Sequence, residues 1–155
     1  MMKISLVCFT RMGFETMKKI AGTGSAGGNE EKWDTSLWVA GRYALRLARE
    51  DAGLPYLAIA EGGLSAWTGA EFQRSDALIF VGACGIAVRA IAPFVQDKFH
   101  DPAVLCVDEA GTFVIPLLSG HVGGANRLAE FVAGGIGAVP VAVSYTHLRA
   151  HETKA

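Results

Sequence analysis

The sequence predicts an α/β fold: a mostly parallel β-sheet flanked by helices on both faces, a three-layer sandwich that includes one β-hairpin. Three observations lead there. Short apolar runs, ISLVCF at 4–9, ALIFV at 77–81 and AVLCV at 103–107, lack the period-2 alternation of a sheet with one wet face. Helix-compatible stretches separate most of them, as the crossovers of parallel pairing require. Glycine-rich turns at 82–85 and 119–124 stand where strands hand over to helices.

Taken in order, residues 4–9 read as a strand, Thr10 to Gly13 as a turn, and the residues up to Ile20 as a helix. Residues 21–29 (AGTGSAGGN) hold four glycines and no apolar period, which predicts a flexible surface loop. A helix is expected over 38–52, with Trp38, Tyr43 or Leu45, and Leu47 on one face, ending before Pro55. A short helix over 65–73 leads to the buried strand 77–81. The turn GACG follows, then a helix over 86–92 that Pro93 stops. The strand 103–107, a polar tip at 108–111 and the run 113–117 form the hairpin. The turn 119–124 opens a helix over 125–133, and 138–141 is a last β-like run.

The chain has 155 residues, 51% hydrophobic and 19% charged, which fits one folded domain. Its 14 Lys+Arg against 15 Asp+Glu lack the basic excess that would offset many phosphates, so nucleic acid is excluded as a partner. Three cysteines, Cys8, Cys84 and Cys106, with no CxxC pair, suit reduced thiols in the cytoplasm. The first ten residues do not resemble a signal peptide, and no run is long enough to span a bilayer, so no membrane is expected as a partner. Residues 143–153 (VSYTHLRAHET) match the in-frame translation of a sequencing-library adapter. Residues 1–142 are therefore read as one α/β domain and 143–155 as a non-native tail, whose His147 and His151 are not taken as metal ligands. A sheet edge left open after Val141 invites pairing with a second copy, a homodimer.

Two constellations carry chemistry. In GACGIAVRAIAP (82–93) the glycines let backbone N–H groups approach a ligand and the helix start adds partial positive charge, so Gly82, Cys84, Gly85 and Arg89 are candidates for holding a carboxylate or phosphate. Neither GxGxxG nor the phosphate loop is present. The plainer alternative is tight strand-to-helix packing with a solvated Arg89. In SGHVGGAN (119–126), His121 has an imidazole suited to proton transfer near neutral pH, and Ser119, Gly120, Gly123, Gly124 and Asn126 surround it. Ser119 is less suited as a nucleophile, because GxSxG is absent. Its alternative role, or that of Asn126, is to cap the next helix. Asp101 before Pro102 ends a loop, Asp108 and Glu109 solvate a hairpin tip, and Cys84 and Cys106 read as buried packing residues, with a reactive Cys84 thiolate as the alternative.

Read continuously, ALIFVGACGIAVRAIAPFVQDKFHDPAVLCVDEAGTFVIPLLSGHVGGANRLAEFVA (77–133) resembles the N-terminal module of the CbiG family of cobalamin biosynthesis proteins. The start of the chain resembles the family more loosely, and 21–29 has no clear counterpart. Family members continue past GAVPV into TTATD-like sequence and then into central and C-terminal domains, partners that this chain lacks. The resemblance implies hydrolysis of cobalt-precorrin-5A: a δ-lactone is opened and acetaldehyde leaves the corrinoid, which brings the cobalt, so the protein needs no metal or cofactor of its own. It favours Arg89 and the helix N-termini as clamps for the substrate's carboxylates, His121 for proton transfer and Asp101 as its partner. For this, the turns around Cys84 and His121 must open side by side at one end of the sheet. Two other readings stand beside it: a non-catalytic tetrapyrrole or anion-binding module, and a flavodoxin-like binder of a nucleotide or flavin.

Overall fold

A computed structural model of the chain describes residues 1–26, 32–50, 57–59, 62–119 and 123–141. Its elements are β1 (Met2–Cys8), α1 (Arg11–Ala26), β2 (Trp33–Val39), α2 (Ala44–Glu50), β3 (Leu57–Ile59), α3 (Gly63–Arg74), β4 (Ala77–Val81), α4 (Cys84–Ile91), a 3-10 turn (Ala92–Phe94), β5 (Ala103–Val107), β6 (Phe113–Leu118), α5 (Ala125–Ile136) and β7 (Val139–Pro140). They build one seven-stranded sheet in the order β3-β2-β1-β4-β5-β6-β7. All pairings are parallel except β5 with β6, the expected hairpin. Right-handed crossovers put α1, α2 and α5 on one face and α3 and α4 on the other. Among the described residues no helix is long and apolar enough to cross a membrane.

Each face has its own core. Ile4, Leu6 and Cys8 of β1 point toward Phe14, Met17 and Ile20 of α1 and toward Leu128 and Val132 of α5. The alternate residue Val7 joins Leu78 and Phe80 of β4, Val104 and Cys106 of β5, and Trp67, Ala87 and Ile91 of the opposite helices. Because β4 and β5 are covered on both sides, all ten of their residues are buried. Pro93 ends α4 as expected, and the chain leaves through the 3-10 turn.

The structure departs from expectation at the start. The 21–29 loop is helical up to Ala26, where α1 ends. Small residues there allow close contact: the Trp33 ring lies where a side chain at Gly24 would sit, and Thr23 packs against the bare backbone of Gly135 in α5. The helix expected over 38–52 begins only at Ala44, and Trp38 belongs to strand β2. In β2, Leu37 and Val39 are buried while Asp34 is exposed and Ser36 half-buried, so the strand's polar positions hid its apolar period. Strand β3 was not expected at all. The tail expected at 143–155 lies outside the described residues.

Candidate functional site

Strands β1 and β4 are adjacent, but α1 leaves β1 toward one face and α4 leaves β4 toward the other. Their carboxyl ends therefore diverge into a crevice, the usual ligand position in an open α/β sheet. Thr10 stands on the β1 side. Its hydroxyl accepts from Gly13 N at 3.0 Å, capping α1, and donates to Glu109 Oε2 at 2.6 Å. Thr16 Oγ1 donates to Glu109 O at 2.6 Å, fixing the hairpin tip against α1. Asp108 Oδ1 accepts from Thr112 N and Phe113 N, which closes that tip.

On the β4 side the turn is glycine for a steric reason. A Cβ at Gly82 would lie 2.9 Å from the Phe9 ring, and Gly82 N donates to Val107 O at 2.8 Å. Helix α4 then starts without a side-chain cap, and the amides of Cys84 and Gly85 find no acceptor among the described residues. The Arg89 guanidinium folds back to within 3.6 Å of where a Gly85 Cβ would be. Gly82, Cys84, Gly85 and Arg89 are thus brought together as an anion-attracting edge. Cys84 is exposed, which corrects its reading as a packing residue, whereas Cys106 is buried as expected. A cavity of about 280 Å³ adjoins the crevice, lined by Thr10, Arg11, Tyr43, Arg46, Leu47 and Glu50. There Glu50 pairs with both Arg11 and Arg46.

The other candidates lie elsewhere. β6 runs antiparallel to β5, so its last residue, Leu118, pairs with Val104 near the amino end of the parallel strands. Ser119 follows it, and its hydroxyl donates to Asp101 O at 3.2 Å. The two turns expected side by side therefore open at opposite ends of the sheet, roughly 16 Å apart along a five-residue strand. The antiparallel hairpin is the physical reason, because it reverses the chain between the two turns. Asp101 is buried, and both its carboxylate oxygens accept from Gln96 N. Ser119 is buried with φ 61, a left-handed conformation unusual for a non-glycine residue, and its carbonyl accepts from Ala125 N. Gly123 lies against Ser119, Gly124 precedes α5, and Asn126 is half-buried in its first turn. Neither Ser119 nor Asn126 caps α5 through its side chain. Gly120 and His121 lie outside the described residues.

Two polar features escaped sequence reasoning. Glu109, expected to solvate a hairpin tip, is tied to Thr10 across the crevice. Glu71, in the last turns of α3, is buried and accepts from Ser5 Oγ, Ser75 Oγ and Arg74. Burial alone would raise its pKa, but these donors outweigh it and hold the carboxyl below its ordinary value. Beside it, Lys3, Asp34 and Ser36 line a polar cavity of about 190 Å³. Among the described residues no three His, Cys, Asp or Glu side chains converge as metal ligands.

Comparison with known proteins bears on this arrangement. The sequence model of the family described as Cobalamin synthesis G N-terminal matches residues 66–146, just over half of the chain. The chain is 50% identical over 98 residues to a cobalt-precorrin-5A hydrolase of Salmonella typhimurium, covering 63% of this chain and 27% of that protein. It is 47% identical over 70 residues to a cobalt-precorrin-5A hydrolase of Priestia megaterium, covering 45% of this chain and 19% of that one. The chain thus spans about a quarter of the length of the curated relatives it matches. Its fold is similar to that of a crystal structure of a cobalamin biosynthesis protein G homologue from Sulfolobus solfataricus, with a TM-score of 0.64 and 22% identity over 94% of this chain and 39% of the other.

Proposed function

Because this chain belongs to the Cobalamin synthesis G N-terminal family, we propose that it forms the amino-terminal part of a cobalt-precorrin-5A hydrolase acting in the cytoplasm. The proposed reaction opens the δ-lactone of cobalt-precorrin-5A and releases a two-carbon fragment as acetaldehyde, with the cobalt arriving on the substrate. The observation that carries this chain's share of the work is the uncapped start of α4 at the crevice, with Arg89 alongside. A corrinoid precursor bears many acetate and propionate groups. The free amides of Cys84 and Gly85 and the Arg89 guanidinium suit such carboxylates, and the same donors suit the oxyanion that develops when water adds to a lactone carbonyl. His121 remains the proton-transfer candidate, on a turn whose root is fixed by Ser119 and Asp101.

One observation favours a second reading, in which this chain binds and the remaining length of the family supplies the chemistry. The root of the His121 turn lies at the opposite end of the sheet from α4, so one small reacting centre does not meet both. Incubating the chain with cobalt-precorrin-5A and assaying both binding, by absorbance, and acetaldehyde separates the two. Release of acetaldehyde supports catalysis by this chain. Binding without release supports the binding role, and absence of binding removes both.

A further inference from the structure

Cys106 lies on β5 opposite Phe80, on the face that α3 and α4 cover. Its Sγ donates to Gly82 O at 3.4 Å, at the very turn that opens α4. Two residues beyond Gly82, Cys84 is the first residue of α4 and is exposed. The Cys84 side chain lies near enough to Cys106 to add, after burial, to the rise in its pKa. The third cysteine, Cys8, is buried in the core on the opposite face. The chain thus pairs an exposed thiol with a buried one at the rim of the crevice.

We propose that Cys84 and Cys106 form a modification site that closes into an intramolecular disulfide on contact with a small-molecule disulfide of the glutathione class. The exposed Cys84 thiolate attacks one sulfur of the reagent, forming a mixed disulfide and releasing one thiolate. Cys106 then loses its proton to solvent and attacks the Cys84 sulfur, expelling the second thiolate. Two protein thiols are oxidised and one disulfide is reduced to two thiols. Burial, with the neighbouring Cys84 and Asp108 adding to it, pushes the Cys106 thiol up to about 12. The second step is therefore limited by the scarce Cys106 thiolate, and its rate rises about tenfold per pH unit near neutrality. The product ties the 82–85 turn covalently to β5.

The test is to incubate the native chain with oxidised glutathione between about pH 7 and 9, quench with acid, alkylate under denaturing conditions, and map peptides by mass spectrometry. The expected product keeps Cys8 as its only alkylatable thiol, joins Cys84 to Cys106, and forms faster at higher pH. Cys106→Ser should instead retain glutathione on Cys84. Cys84→Ser, a change at an exposed position, should block the reaction in a chain that folds normally. Persistence of glutathione on wild-type Cys84 throughout the pH range, a bond to Cys8, or no reaction at Cys84 would each overturn the proposal.

Discussion

Glu71 is the residue at which burial and charge oppose each other most clearly. Its carboxylate is nearly sealed from solvent, yet Arg74, Ser75 and Ser5 keep its pKa below the ordinary value. A depressed folded-state pKa contributes stability that is present above the unfolded-state pKa and lost as pH falls through the folded value. Glu71→Gln should therefore cost about 2 kcal/mol near neutral pH and flatten the loss of stability on the acid side of about pH 4. Urea unfolding at neutral pH and at about pH 3 reads both effects; an unchanged difference between the two pH values would remove Glu71 from the acid response. None of this was legible in the sequence. Ser5 is 66 residues from Glu71, and Thr10 is 99 residues from Glu109, so neither pair leaves a local signature. The turn glycines and Arg89 were legible, because their conjunction with an apolar strand is local.

At the scale of elements, the legible part runs from β4 through α5. There the strands are continuous apolar runs, glycines and Pro93 punctuate them, and the hairpin tip is polar. β2 was not legible because the face whose Trp38 packs against the core around Trp67 otherwise carries Asp34 and Ser36 beside the polar cavity. The glycines of α1 were misleading for a different reason. They resemble a linker in one dimension, but the bare backbone of Gly24 admits Trp33, and Gly135 admits Thr23 in the same way. A Cβ at Gly135 would come within 2.2 Å of Thr23 Cγ2, so Gly135→Ala should wedge α1 from α5 and cost about 1–3 kcal/mol. Gly134, where a Cβ meets nothing within 4 Å, is the matched control: Gly134→Ala should be neutral or stabilising, as alanine is in a helix. Equal destabilisation by the two in thermal unfolding would contradict the packing account.

For the whole molecule, the sheet topology decides which candidates act together. Sequence reasoning placed both glycine-rich turns between a strand and a helix, which they are. It did not anticipate that the antiparallel hairpin between them sends the second turn to the far end. One consequence is energetic independence: sites at opposite ends of the sheet contribute additively to binding, within about 0.5 kcal/mol. The most direct measurement is an absorbance titration of cobalt-precorrin-5A into the intact chain and into its Arg89→Met and His121→Ala variants. The account predicts that Arg89→Met weakens binding about tenfold or more, while His121→Ala leaves the affinity within about twofold. Full affinity in Arg89→Met together with lost affinity in His121→Ala would contradict it.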